Sequence, residues 1–200
     1  EQAAGLSAAG VRSVNISRDS LNPTRFEAIT RIGKLDTVLE GIDAAIASGF
    51  ERIRLNAVIL NGLNHDEVVT LTHFALSKQI HIAFIEEMPL GQVNLGGKQL
   101  EYVSSDSIKS ELETHFELQP LVSRDSSGPS RDYLIAGSQT QVGFISPHSH
   151  NFCAECNRLR VSAEGRLLMC LGNEESIDLR DLLRSGCSDD EIKSIIIDSL

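Results

Sequence analysis

Three stretches rich in isoleucine and valine alternate with helix-periodic segments, and this βα rhythm constrains the fold more than any other feature of the chain. Val11 to Ile16, Ile53 to Leu60 and His81 to Ile85 read as strands. Between the first two, Leu35, Val38, Leu39, Ile42, Ala45 and Ile46 recur at helical spacing, and Gly49 ends the helix. Between the second and third, Asn61-Gly62-Leu63-Asn64 makes a loop with Asn64 as the cap. Val68, Val69, Leu71, Phe74 and Ala75 then form the apolar side of a helix reaching Lys78. Strands that alternate with helices in this way form a parallel sheet. Ligands gather at the carboxyl ends of such strands, which marks Ser17, Arg54 or Asn56, and Met88 as the positions to watch.

The flanking segments are shorter. Residues 2–9 read as a small-residue helix stopped at Gly10, and Asn22-Pro23 opens a short helical turn after the polar exit Ser17-Arg18-Asp19-Ser20. From Gly91 the texture changes. A helix from Ser105, which reads as its cap, to His115 precedes a strand at Glu117 to Val122. Tyr133 to Ile135 and Val142 to Ile145 make a hairpin across Gly137-Ser138-Gln139. Leu179, Leu182 and Leu183 lie on a short helix ending at Gly186. Ser188 with Glu191 forms a capping box for a last helix through Ile192, Ile195 and Ile196. These boundaries predict one domain over residues 1–92 and a second over 93–200.

The second domain carries the densest chemistry. Cys153, Cys156 and Cys170 stand in a Cys-x2-Cys-x13-Cys pattern. Two residues between cysteines let one turn of backbone aim both sulfurs at one metal. Arg158 to Ser162 and Arg166 to Met169 read as a hairpin; if Ser162 pairs with Gly165, Cys170 falls opposite Asn157, beside Cys156. Three thiolates suit a 4Fe-4S cluster with one open iron, whereas structural zinc takes four protein ligands. His148, His150 or Cys187 can complete a zinc site, so the spacing leaves both metals open. Arg158 and Arg160 share a strand face, and two guanidinium forks suit phosphate oxygens. A solvated strand face is the plainer reading of the same pair.

Composition limits the alternatives. With 200 residues of which 41% are hydrophobic, the chain suffices for one core with a small appendage, and a formal charge of −10 argues against nucleic-acid or anionic-membrane binding. Four unevenly spaced cysteines fit metal binding in a reducing compartment, and the absence of a membrane-length run or signal pattern reads as cytoplasmic. Asp19, Glu86 and Glu87 are carboxylates at strand exits, suited to acid–base work or, more plainly, to loop solvation and capping. No Walker, Gly-x-Gly-x-x-Gly or Gly-x-Ser-x-Gly motif occurs.

VNISRDSLNP at 14–23, IRLNAVILNGLN at 53–64, FIEEMPLG at 84–91 and FCAECNRLRVSAEGRLLMCL at 152–171 together resemble the molybdenum-cofactor biosynthesis protein A family, the radical GTP 3′,8-cyclases. The resemblance implies an α/β fold: the C-terminal part of an incomplete (β/α) radical S-adenosylmethionine barrel, then a small Fe-S-cluster-binding extension with β-hairpins and helices. It implies conversion of GTP to (8S)-3′,8-cyclo-7,8-dihydroguanosine 5′-triphosphate, with S-adenosylmethionine, an electron donor and a homodimer in the intact protein. Cys153, Cys156 and Cys170 would hold an auxiliary 4Fe-4S cluster. Arg54, Arg158, Leu159 and Arg160 would contact GTP, and Ser17 and Met88 would contact S-adenosylmethionine. The chain departs from the family at Arg54, where a lysine is usual, and at Arg18, where an apolar residue is usual. It has no Cys-x3-Cys-x2-Cys, so the resemblance places the second 4Fe-4S cluster in an N-terminal part and predicts that these 200 residues alone do not turn over. Another radical enzyme with an auxiliary cluster, or a zinc-stabilised binding module, are the competing readings.

Overall fold

The computed structural model describes residues 2–88, 102–121, 129–150, 159–169 and 176–199. Its first unit runs α1 (Ala3–Ala8), β1 (Ser13–Ser17), α2 (Pro23–Thr30), α3 (Leu35–Ala47), β2 (Arg52–Ile59), a 3-10 turn (His65–Glu67), α4 (Val68–Lys78), β3 (His81–Glu86), α5 (Ser105–Glu113), β4 (Leu118–Pro120), β5 (Ser130–Ile135) and β6 (Gln141–Ile145). The strands form one mixed sheet in the order β1-β2-β3-β6-β5-β4. The first four of these are parallel neighbours, as the βα rhythm requires, and β5 and β4 add antiparallel. Because β6 hydrogen-bonds to β3, the sheet runs through any cut at residues 92/93, and residues 102–121 and 129–150 belong to the first compact unit.

Burial along β2 alternates strictly: Ile53, Leu55, Ala57 and Ile59 are buried, and Arg52, Arg54, Asn56 and Val58 are not. A parallel strand covered by helices on both faces would be apolar throughout. Among the described residues one face alone meets helices. Ile42 and Ala45 of α3, Val68, Leu71 and Ala75 of α4, and Ile108 and Leu112 of α5 pack against Leu55, Ile82, Phe84, Val142 and Phe144. Each such fully buried side chain is worth roughly 1.5–3 kcal/mol over leaving it exposed, so this single layer carries the unit.

Polar side chains fasten the strand exits. Asn22 caps α2 by accepting from the N–H groups of Thr24 and Arg25, and Pro23 occupies the first helical position, so the expected short turn extends to eight residues. Asn64 is not a helix cap. A 3-10 turn separates it from α4, and its amide instead accepts from Leu60 N at 2.8 Å and donates to the carbonyls of Asp19 at 2.6 Å and Val58 at 2.9 Å. The cap of α5 is Ser104, one residue before the expected Ser105, whose N–H goes to Glu86 Oε1 at 2.7 Å.

Glu86 is fully buried at the end of β3 and gathers four donors: Ser105 N, Ser149 N, His148 N and Ser149 Oγ. Burial pushes its carboxyl up, but the hydrogen bonds from Ser149, Ser105 and His148 outweigh that and lower the pKa to about 2. The carboxylate therefore latches the β3 exit to α5 and to the turn after β6. Arg18 was expected in a polar exit and is instead 1% exposed. Its guanidinium lies 3.9 Å over the Phe74 ring, its Nε and Nη1 have no hydrogen-bond partner, and burial lowers its pKa to about 10 against the opposing pull of Glu67.

The second unit holds β7 (Arg160–Val161), β8 (Arg166–Leu168), β9 (Ser176–Asp178), α6 (Leu179–Arg184) and α7 (Asp189–Asp198), with an antiparallel sheet β7-β8-β9. The hairpin forms as expected, but its register differs by one residue. Arg160 pairs with Leu168, and Ser162 donates its N–H to Arg166 O, so the loop has three residues rather than two. Gly165 supplies the reason: it sits at φ +81°, the left-handed position that closes a three-residue hairpin loop. Asn157 and Cys170, whose pairing depended on the two-residue loop, lie outside the described residues. Ser188 and Glu191 form the capping box on α7.

Two stability outcomes follow. Arg18→Leu trades a cation–π contact worth about 0.5–2 kcal/mol for relief of a buried charge with two unpaired donors, and raises stability by about 1–3 kcal/mol in thermal unfolding. Glu86 has a lowered folded-state pKa, so its contribution is complete above the ordinary value of 4.5 and is lost as pH falls toward about 2. Glu86→Gln is expected to cost about 3 kcal/mol at pH 7 and to flatten the stability profile through that acid window.

Candidate functional site

Strand register decides which side chains meet on the face away from the helices. Ser17 pairs with Asn56, Arg54 with His81, Asn56 with Ala83, Ala83 with Gly143, and Gly143 with Asp132. Residues two apart share a face. Ser17, Arg54, Asn56, His81 and Asp132 therefore line one surface contributed by four strands. Arg54 on β2 forms an ion pair with Asp132 on β5, across the two intervening strands β3 and β6. Three strand spacings on a flat sheet amount to about 14 Å, too far for these two side chains, so the sheet curves around this face.

Small residues beneath Arg54 make the crossing possible. Ala83 and Gly143 lie between the partners, and a Cβ on Gly143 would sit 2.5 Å from Asp132 Oδ1, 3.0 Å from Arg54 Nη2 and closer still to Ser130 Oγ. The Arg54 and Asp132 side chains are 11% and 20% exposed. Asp132 Oδ1 also accepts from Ser130 Oγ at 2.5 Å, and its Oδ2 accepts from Arg52 Nη2 at 3.2 Å. Burial lowers the Arg54 pKa, Arg52 adds to the lowering, and Asp132 opposes it. His81 accepts from Gln141 N through Nδ1 at 3.1 Å, and burial, with Arg52 and Arg54 nearby, lowers its pKa. The imidazole is thus held neutral with its proton on Nε2.

Two polar atoms on this face are buried and have no hydrogen-bond partner: the donor Arg54 Nε and the acceptor Asn56 Oδ1. Buried polar atoms are paired in the great majority of cases, so each such atom calls for an explanation. A ligand that brings anionic oxygens to one and an N–H or O–H to the other satisfies both.

Ser17 closes β1 and is exposed, and Met88 lies half-buried two residues beyond β3, so both stand at carboxyl ends of parallel strands. Arg54 does not. It is the third of eight residues in β2, whose exit follows Ile59. Asp19 accepts from Val58 N at 2.8 Å, and burial raises its pKa against that hydrogen bond. Glu86, with its donors filled, is a structural carboxylate. His148 Nε2 contacts Glu87 O at 2.7 Å, and His150 Nε2 contacts Asp106 at 3.1 and 3.2 Å. Cys187 Sγ is 3.6 Å from Ser185 Oγ. Among the described residues no group of three His, Cys, Asp or Glu stands close enough to hold a metal ion. Cys153, Cys156, Arg158 and Cys170 lie outside the described residues; Leu159 and Arg160 are described and exposed.

A mixed α/β sheet whose polar face holds two buried unpartnered atoms suits a small-molecule site, and comparison with known proteins makes the class specific. Residues 1–75 match the radical SAM superfamily, and residues 80–200 match Molybdenum Cofactor Synthesis C. The chain belongs to this molybdenum cofactor synthesis family. It is 53% identical over 191 residues to a GTP 3′,8-cyclase of Ectopseudomonas mendocina, covering 96% of this chain and 57% of that protein. It is 51% identical over 191 residues to GTP 3′,8-cyclase 2 of Pseudomonas aeruginosa, with the same coverage of 96% and 57%. With a GTP 3′,8-cyclase of Marinobacter nauticus it shares 48% over 199 residues, covering 99% and 60%. The chain thus spans somewhat more than half the length of the curated relatives it matches.

Gly143→Ala tests whether the face is built around Arg54. The added methyl must displace the Arg54–Asp132–Ser130 cluster, an overpacking cost of about 1–3 kcal/mol in denaturant unfolding. It is also expected to abolish the short Arg54–Asp132 contact in a crystal structure of the variant.

Proposed function

We propose that the intact protein is a GTP 3′,8-cyclase of molybdenum cofactor biosynthesis, and that the polar face of the first unit receives its nucleotide. The names of the relatives suggest the reaction, GTP to (8S)-3′,8-cyclo-7,8-dihydroguanosine 5′-triphosphate. The observation that carries the reading is the pair of buried unpartnered atoms, Arg54 Nε and Asn56 Oδ1, on one face of a parallel sheet. A nucleoside triphosphate offers phosphate oxygens to the first and sugar or base hydrogens to the second.

In this reading the parallel strands of the first unit belong to a radical SAM barrel, and the cysteine-bearing stretch with the second unit forms a cluster-binding extension. Arg54 holds the triphosphate, neutral His81 offers its Nε2–H beside it, and Ser17 and Met88 orient S-adenosylmethionine at the carboxyl ends of β1 and β3. Arg158, Leu159 and Arg160 contact GTP, and Cys153, Cys156 and Cys170 hold an auxiliary 4Fe-4S cluster. The groups that the family implies, S-adenosylmethionine with one 4Fe-4S cluster and a second cluster on three thiolates, supply radical chemistry and an open iron position when bound. An electron donor, a homodimer and a cytoplasmic location belong to the same proposal. Among the described residues, no helix is long and apolar enough to cross a membrane.

Metal analysis after anaerobic reconstitution, combined with GTP titration calorimetry, tests this function. The expected result is about four irons and four sulfides on the three cysteines, lost in Cys170→Ser, with GTP binding weakened about 10–100-fold in Arg54→Ala and in Arg160→Ala. One zinc without iron, and no GTP binding, would return the chain to a structural-zinc binding module.

A further inference from the structure

Arg54 is a flexible side chain that stands in one place for an identifiable reason. Its Nη2 is taken by Asp132, and the floor beneath it is kept open by Gly143. Asp132 is itself fixed: Ser130 Oγ donates to the same oxygen that receives Arg54, and Arg52 donates to the other. Three donors from two strands therefore converge on one carboxylate, which also separates two guanidinium groups that would otherwise repel each other. With Nη2 committed, the buried Nε is the donor left without a protein partner.

We infer that Asp132 is a positioning residue: its carboxylate oxygen holds the Arg54 guanidinium across the sheet so that Nε is presented to a phosphate oxygen of the bound nucleotide. The inference rests on the nucleotide reading above and adds a residue to it. Asp132 makes no contact with the ligand itself. It acts through geometry, since an arginine fork gains its advantage over a simple charge only when its orientation is set before the anion arrives. The carboxylate has an opposing electrostatic effect, because its negative charge near the phosphate tail disfavours anion binding. A useful experiment must separate the two.

Asp132→Asn and Asp132→Ala remove the same charge, and only asparagine keeps an oxygen for Arg54 Nη2 and Ser130. In titration calorimetry of the full chain, Asp132→Asn is expected to bind GTP at least about tenfold more tightly than Asp132→Ala. Guanosine, which has no phosphate, should show no such difference. In an Arg54→Ala background the tenfold gap should close, because a positioning residue has nothing left to position. Far-UV circular dichroism confirms folding of each variant, and Asp132→Ser, whose hydroxyl stops short of Arg54, replaces alanine if that variant does not fold. Equal GTP affinities for the asparagine and alanine variants, or a gap that persists without Arg54 or appears with guanosine, would overturn the inference. Absence of GTP binding to the native chain would overturn the nucleotide reading and the inference with it.

Discussion

The parallel hydrogen-bond ladder from β1 through β2 and β3 to β6 sets the position of everything else in the first unit. Because side chains alternate along each strand, its register sends Leu55, Ile82 and Val142 to the helices together and Asn56, Ala83 and Gly143 to the other face together. A slip of one residue in β2 would put Arg54 and Asn56 against the helix layer, so the apolar layer and the polar face specify one another. The loop fasteners, Asn64 at the exits of β1 and β2 and Glu86 at the exit of β3, lock the ends of a ladder whose register the core has already fixed.

Two arginines of this unit show how differently the same side chain is accommodated. Arg18 points toward the helix layer, stacks on Phe74 and leaves two nitrogens unpaired, so it is a cost the apolar layer carries. Arg54 points to the opposite face, where the Asp132 carboxylate, itself held by the Ser130 hydroxyl, receives it over Gly143. Near-complete burial of both is tolerated because each keeps one stabilising contact: an aromatic face for the first, an anion for the second. The Arg54 Nε is unpaired on the polar face that also holds the unpaired Asn56 Oδ1, whereas the Arg18 nitrogens lie against an aromatic ring of α4, which is why the former points to binding and the latter do not.

The second unit rests on local devices more than on a core. Leu167 is its one fully buried hydrophobic side chain among the described residues, and Gly165, the Asp178 cap and the Ser188–Glu191 capping box set its turns. Such a unit gains little from apolar burial.

The sequence by itself determined the order of elements, the parallel pairing of the βα strands, most helix ends and the family. Those features are local: hydrophobic period, a proline or glycine at a boundary, a serine or asparagine before a helix. It marked Arg54 and Asn56 as positions to watch but placed them at the β2 exit, although the strand read as Ile53 to Leu60 and observed as Arg52–Ile59 puts Arg54 near its start and Asn56 at its middle. Asp132, Ser130, His81 and Gly143 were not legible as site residues. Arg54 and Asp132 are 78 positions apart, and only sheet curvature brings them together over Ala83 and Gly143. A hairpin register likewise turned on one backbone angle at Gly165. Tertiary structure decided these points because ion pairing, close approach and desolvation depend on distance in space, and a one-dimensional pattern carries that distance only between near neighbours in the chain.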